Sequence, residues 1–173
     1  MKKYLRHTNL VVIILSALVY SSFGITLRQL SVSQPMAVEA QEHGKKVTPE
    51  AVEWKPRWPG MDIAILSGDP TKEGAPFVIR LKLRDGLTVP PHWHPIDENL
   101  TVLSGTFRIG MGEKLDRAAT TALPAGSYSL MPKEMRHFGW AEGETILQLH
   151  GVGAFKTFWV NPADDPAKKT GGN

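Results

Sequence analysis

The stretch at 86–105, Gly-Leu-Thr-Val-Pro-Pro-His-Trp-His-Pro-Ile-Asp-Glu-Asn-Leu-Thr-Val-Leu-Ser-Gly, narrows the fold more than any other part of the chain. Pro90 and Pro91 are unsuited to a helix interior and hold the backbone extended. In extended backbone alternate side chains share a face, so His92, His94 and Glu98 can point the same way. Gly105 closes the run, where a tight turn is expected. Two imidazoles and a carboxylate converging on one point form a ligand set for a divalent first-row metal. The same residues also describe a strand with two surface histidines beside an unrelated acid. A fourth ligand from elsewhere in the chain decides between these readings.

The rest of the chain has the texture of short strands. Apolar runs at 61–66, 77–83, 106–111, 127–131, 137–140, 145–150 and 155–160 are punctuated by Gly, Pro and Asp. The run at 77–83 alternates cleanly, with Phe77, Ile79, Leu81 and Leu83 on one face and Val78, Arg80 and Lys82 on the other. After position 50 no long window shows a helical period, and only 113–123 has room for a short helical turn. Sixteen glycines and thirteen prolines suit such a chain. The pattern predicts an all-β antiparallel barrel or sandwich over 61–160. Residues 41–60 read as a polar leader anchored by Trp54 and Trp58, with room for one edge strand. Residues 161–173 read as a surface tail.

Charge is unevenly placed. Lys2, Lys3, Arg6 and Arg28 against Glu39 carry the whole net +3, and the remaining residues balance sixteen bases against sixteen acids. No basic stripe is left to bind phosphates, so nucleic acid is not an expected partner. A basic start before the apolar run at 10–20 has the form of a secretory signal, with small residues offering a cut after Ala40 or after Gly24. Left uncut, 10–27 is just long enough to span a bilayer as an N-terminal anchor helix. Either way the domain is expected outside the cytoplasm, periplasmic or extracellular. The chain has no cysteine, so any metal must be held by nitrogen and oxygen.

His7 falls in the signal and His43 in the leader, which leaves His137 and His150 as sources of a further ligand. His137 follows Gly126, a strand and Pro132, an order that brings a distant strand back across the first. At this point a resemblance enters. Gly86, His92, His94, Glu98 and Gly105 match the first motif of the cupin superfamily at every fixed position. Gly126, Pro132 and His137 match its second motif, while Glu134 stands where that motif has Gly and Ala141 where it has Asn. The chain resembles small single-domain exported bacterial cupins. The resemblance implies a jelly-roll barrel holding one divalent ion (Mn, Fe, Co, Ni, Zn or Cu) through His92, His94, Glu98 and His137.

Such a site leaves open coordination positions for water, O2 or a bidentate molecule. It is expected to serve a metal-dependent oxygenase, isomerase or lyase acting on a small polar molecule. The alternative is a cupin that binds or senses metal or ligand without turnover. His150 and Gln148 share a face on a late strand; if that face looks inward, His150 supplies a proton carrier near the metal and Gln148 a pocket wall. Trp93, of opposite parity to the histidines, is expected to pack outside the barrel. Arg80 and Arg108 are either anion binders or members of an exposed strand face. The expected partners are a small-molecule ligand or substrate and, as an assembly, a homodimer.

Overall fold

The computed structural model describes residues 44–170; the apolar run, the candidate cut sites and the last three residues lie outside them. Nine antiparallel strands form one curled sheet: β1 (Lys55–Trp58), β2 (Met61–Gly68), β3 (Pro76–Leu83), β4 (Thr88–Trp93), β5 (Glu98–Met111), β6 (Thr121–Pro124), β7 (Tyr128–Met131), β8 (His137–Val152) and β9 (Phe158–Trp159). Two long strands organise it. The first half of β8 pairs with β4 and the second half with β3, while β5 runs beside both halves. On its other edge β5 carries β7 against its start and β6 against its end. Folding these halves over one another makes the antiparallel jelly roll expected from the alternation of apolar residues.

Gly105 does not end a strand, as its place in the sequence suggested. It sits inside β5 at φ +74°, where the pairing with β8 shifts register. A side chain there would collide with the carbonyl oxygen of Glu144 and the hydroxyl of Thr145 at 2.6 Å. The glycine therefore permits a bulge that bends a continuous strand, and the short runs read around it belong to longer elements. The turn read in 113–123 is present as a 3-10 turn at Arg117–Ala119, capped by Asp116, whose carboxylate accepts from the Ala118 N–H at 2.9 Å. Within the described part of the tail, Pro162–Asp164 and Pro166–Thr170 form 3-10 turns, and the second touches β1.

The inward face carries the core. Ile79, Leu83, Val102, Leu147 and Leu149 are almost fully buried, each drawn from the apolar parity of its strand. Truncating any of them to Ala costs about 2–5 kcal/mol. Two glycines let β5 and β8 approach closely: the Phe138 ring lies over Gly110, and the Phe107 ring over Gly139. Trp93 faces outward as expected, stacked on Phe158 with ring centroids 4.4 Å apart.

Candidate metal centre

The residues singled out in the two motifs meet at one end of the barrel. His92 lies on β4 and His94 just beyond it, while Glu98 opens β5 and His137 opens β8. His92 and His137 are direct cross-strand partners. All four side chains are buried. Ring nitrogens of His92, His94 and His137 lie within 4.8 Å of one another. Glu98 Oε2 stands 3.4 Å from His94 Nε2 and 3.1 Å from His137 Nε2.

The back of each imidazole is fixed by the chain itself. Nδ1 of His92 faces the carbonyl of Pro90 at 2.7 Å, that of His94 faces Lys156 at 2.8 Å, and that of His137 faces Met135 at 2.9 Å. A carbonyl oxygen only accepts, so each Nδ1 must carry the proton and donate it. Every Nε2 is thereby left with its lone pair in the neutral tautomer, the state a metal ligand needs. His94 Nε2 and Glu98 Oε2 are buried side-chain atoms with no hydrogen-bond partner among the described residues. Such orphaned acceptors are costly unless something electropositive satisfies them. Donors about 2.1 Å from a common ion stand about 3 Å apart when adjacent, so these distances suit one. Three buried histidines can thus form a metal site in this chain.

The electrostatics of the site agree with that chemistry. Burial, then the neighbouring charges of His137 and His94, pushes the His92 imidazole down to about 3. Burial likewise lowers His94. For Glu98, burial opposes ionisation, but the close His137 ring, with those of His94 and His92, outweighs it and holds the carboxyl below its ordinary range. Neutral imidazoles beside a carboxylate are what a divalent ion requires.

These residues line one side of an interior cavity of about 140 Å³. Its walls are mostly apolar, including Ile79, Leu83, Leu100, Phe107, Leu147 and Leu149. Phe155, Thr157 and Trp159 also reach it, a period-two set on one late segment whose alternation was present in the sequence but not read as part of the site. Phe155 stacks on the His94 ring at 4.2 Å, and Trp159 lies 5.3 Å from the His92 ring.

His150 and Gln148 are elsewhere. The face of β8 that looks inward is that of Leu147 and Leu149, so Gln148 and His150, of opposite parity, lie on the outside. His150 is exposed, and Gln148 accepts a hydrogen bond from Arg80 Nε at 3.2 Å. Neither lines the cavity. The proton-carrier role expected of His150 and the pocket role expected of Gln148 are therefore withdrawn. Arg108 belongs to the exposed face, paired with Glu142 at 2.6 Å.

The profile of the ChrR cupin-like domain matches residues 42–156. This chain belongs to that family. Solved cupin folds agree. The polyketide cyclase RemF from Streptomyces resistomycificus is 18% identical, over 74% of this chain and 93% of that one, with a TM-score of 0.59. KdgF from Halomonas sp. is also 18% identical, over 64% of this chain and 96% of its own, with a TM-score of 0.51. An RmlC-like cupin from Shewanella frigidimarina is 16% identical over 62% and 89%, with a TM-score of 0.50. At such identities these structures share a fold with this chain, and function must be argued from the site. No curated protein matches the chain.

Proposed function

We propose that this ChrR-like cupin is a divalent-metal-dependent oxygenase, with His92, His94, His137 and Glu98 holding one ion. The observation that supports it is the set of three Nε2 atoms, each ring fixed from behind, converging with a carboxylate at an apolar cavity. A first-row divalent ion bound there supplies open coordination positions and, for a redox-active metal, a one-electron couple. The apolar walls exclude water and accept a molecule with a hydrocarbon body rather than a wholly polar one. Among the described residues lining the cavity, no His, Asp, Glu, Lys or Tyr side chain is present apart from the proposed ligands. An isomerase or lyase needs a positioned proton carrier, so the oxygenase reading is favoured over those two. The basic and apolar character of residues 1–40 supports a location outside the cytoplasm.

One observation favours a second reading, a cupin that binds or senses without turnover. A cavity of about 140 Å³ is small, the size of one ring rather than of a substrate with a co-reactant beside it. Metal loading followed by oxygen-electrode measurements separates the two. The full chain loaded in turn with Mn, Fe, Co, Ni, Zn and Cu should hold one ion per chain by elemental analysis. An ion present at a hundredfold excess over its dissociation constant should stabilise the fold by about 2.7 kcal/mol. With Fe or Mn bound, a panel of small chelating acids and diols should yield one that accelerates O2 uptake. Metal and ligand binding with O2 uptake at the blank rate for every pair would leave the binding cupin. Stoichiometric metal in the double variant His92→Ala/His137→Ala would remove the assignment of the ligands.

A further inference from the structure

Arg57 lies in the edge strand β1, at a point where the strand is irregular. Pro56 pairs with Asp62 and Trp58 with the next residue on β2, Met61, so Arg57 is an extra residue with no partner of its own. In a regular strand, adjacent side chains point to opposite faces. Here both Arg57 and Trp58 line the metal cavity. The bulge accounts for this, since such a step re-aims one side chain, and bulges recur at sheet edges beside functional sites.

Arg57 is exposed, and no acceptor on the protein takes up its donors among the described residues. Its guanidinium rests over the Trp58 ring with Cζ 5.7 Å from the centroid, and Trp58 in turn packs edge-on against Trp159 at 5.9 Å. Trp159 leads to His92. Arg80, Arg108, Arg117 and Arg136 each engage an acceptor on the protein. No hydrogen bond or ion pair occupies Arg57 among the described residues. Thr157, whose hydroxyl has no hydrogen-bond partner among the described residues, lines the same cavity. Besides Glu98, which faces the histidines, Arg57 is the one formally charged lining group among the described residues.

We infer that Arg57 selects the ligand of this cavity: a small oxyanion, a carboxylate on an apolar body of about one ring, bound by the guanidinium with help from Thr157. A stacked guanidinium keeps its edge N–H groups for a bidentate acceptor, which a neutral amide or alcohol cannot match. The apolar walls take the hydrocarbon part. The inference deepens the proposed function by naming its substrate class. It rests on that reading only for the metal, because Arg57 and the cavity belong to the chain itself.

Benzoate, with benzyl alcohol as its neutral counterpart, tests the inference on the full chain, with and without Zn. Titrations followed by tryptophan fluorescence and calorimetry give the affinities, and elemental analysis gives the Zn content. Benzoate should bind more tightly than benzyl alcohol. Arg57→Gln should weaken benzoate about tenfold or more, the loss expected for a charge-assisted hydrogen bond, and leave benzyl alcohol unchanged. Thr157→Val should weaken benzoate by a smaller factor. Zn content should be the same in all three proteins. Equal benzoate affinity in Arg57→Gln and the parent, or no preference for the anion, would overturn the inference. A chain that binds no Zn yet still loses benzoate affinity in Arg57→Gln would count against the metal reading alone.

Discussion

The backbone N–H of Glu134 donates to the carbonyl of His94 at 2.7 Å. This single bond ties the turn before His137 to the segment that carries His92 and His94, so the two halves of the centre are fastened by main chain. Glu134 holds φ +64° to make it, a left-handed conformation. That is the position where the second cupin motif has Gly. The loop shape that the motif's glycine would provide is kept here by a residue that pays for it in strain.

Glu134→Gly should therefore stabilise the fold. The left-handed conformation costs a residue with a Cβ about 1–2 kcal/mol, partly offset by the entropy that glycine loses on folding. A melting temperature raised by a few degrees with metal content unchanged is the expected result. Glu134→Val should lower it, because a β-branched side chain tolerates this backbone least.

Acid should unlock the same site. The folded-state value of His92 is depressed from 6.5 to about 3, so the unfolded chain binds its proton first as pH falls. The sign is that of a stability fully present above about pH 6.5 and lost progressively toward pH 3, at about 1.4 kcal/mol per pH unit for one such group. His94, also depressed by burial, acts in the same direction. Glu98, depressed despite its burial, adds a loss at lower pH, below its ordinary 4.5. Melting temperatures measured with a chelator should be level from pH 8 to about pH 6.5 and fall from there to pH 4; a flat profile below pH 6.5 would contradict buried neutral imidazoles.

Close approach of β5 and β8 makes Gly139 a sensitive position. A Cβ there would meet the Phe107 ring and the carbonyl oxygen of Arg108 at 2.8 Å. Gly139→Ala should destabilise by about 1–3 kcal/mol, the usual cost of overpacking a core. Phe107→Leu should recover part of that loss in the double variant, since it removes the flexible half of the clash. Denaturant melts of the two single variants and the pair give the coupling.

His150→Gln should alter little. The side chain is exposed on the outer face, so the change in stability should stay within about 0.5 kcal/mol and metal content should not move. Loss of metal in this variant would place the residue where the fold does not.

The fold and the proposed quartet were legible because spacing encodes them. His92, His94 and Glu98 are bound to one short extended stretch, and His137 follows a turn whose Gly and Pro can be read directly. Alternation fixed which residues share a face of β8, yet the inward choice was missed at His150, although Leu147 and Leu149 mark the apolar parity. Other features left no such trace. The carbonyls of Pro90, Lys156 and Met135 that orient the imidazoles are main-chain groups, identical for any residue type. The bulge at Arg57 interrupts the parity on which strand reading depends, so its place in the cavity lining could not be read from alternation.

Two strands, β5 and β8, each run through both halves of the barrel. A movement that parted the halves would have to break the pairing along one long strand, which couples any such opening to global unfolding. Exchange with the interior then falls to side chains, and of those lining the cavity Arg57 and Thr71 are the exposed ones. In such a vessel the walls set what fits, and the pace of exchange belongs to a few side chains at its lip.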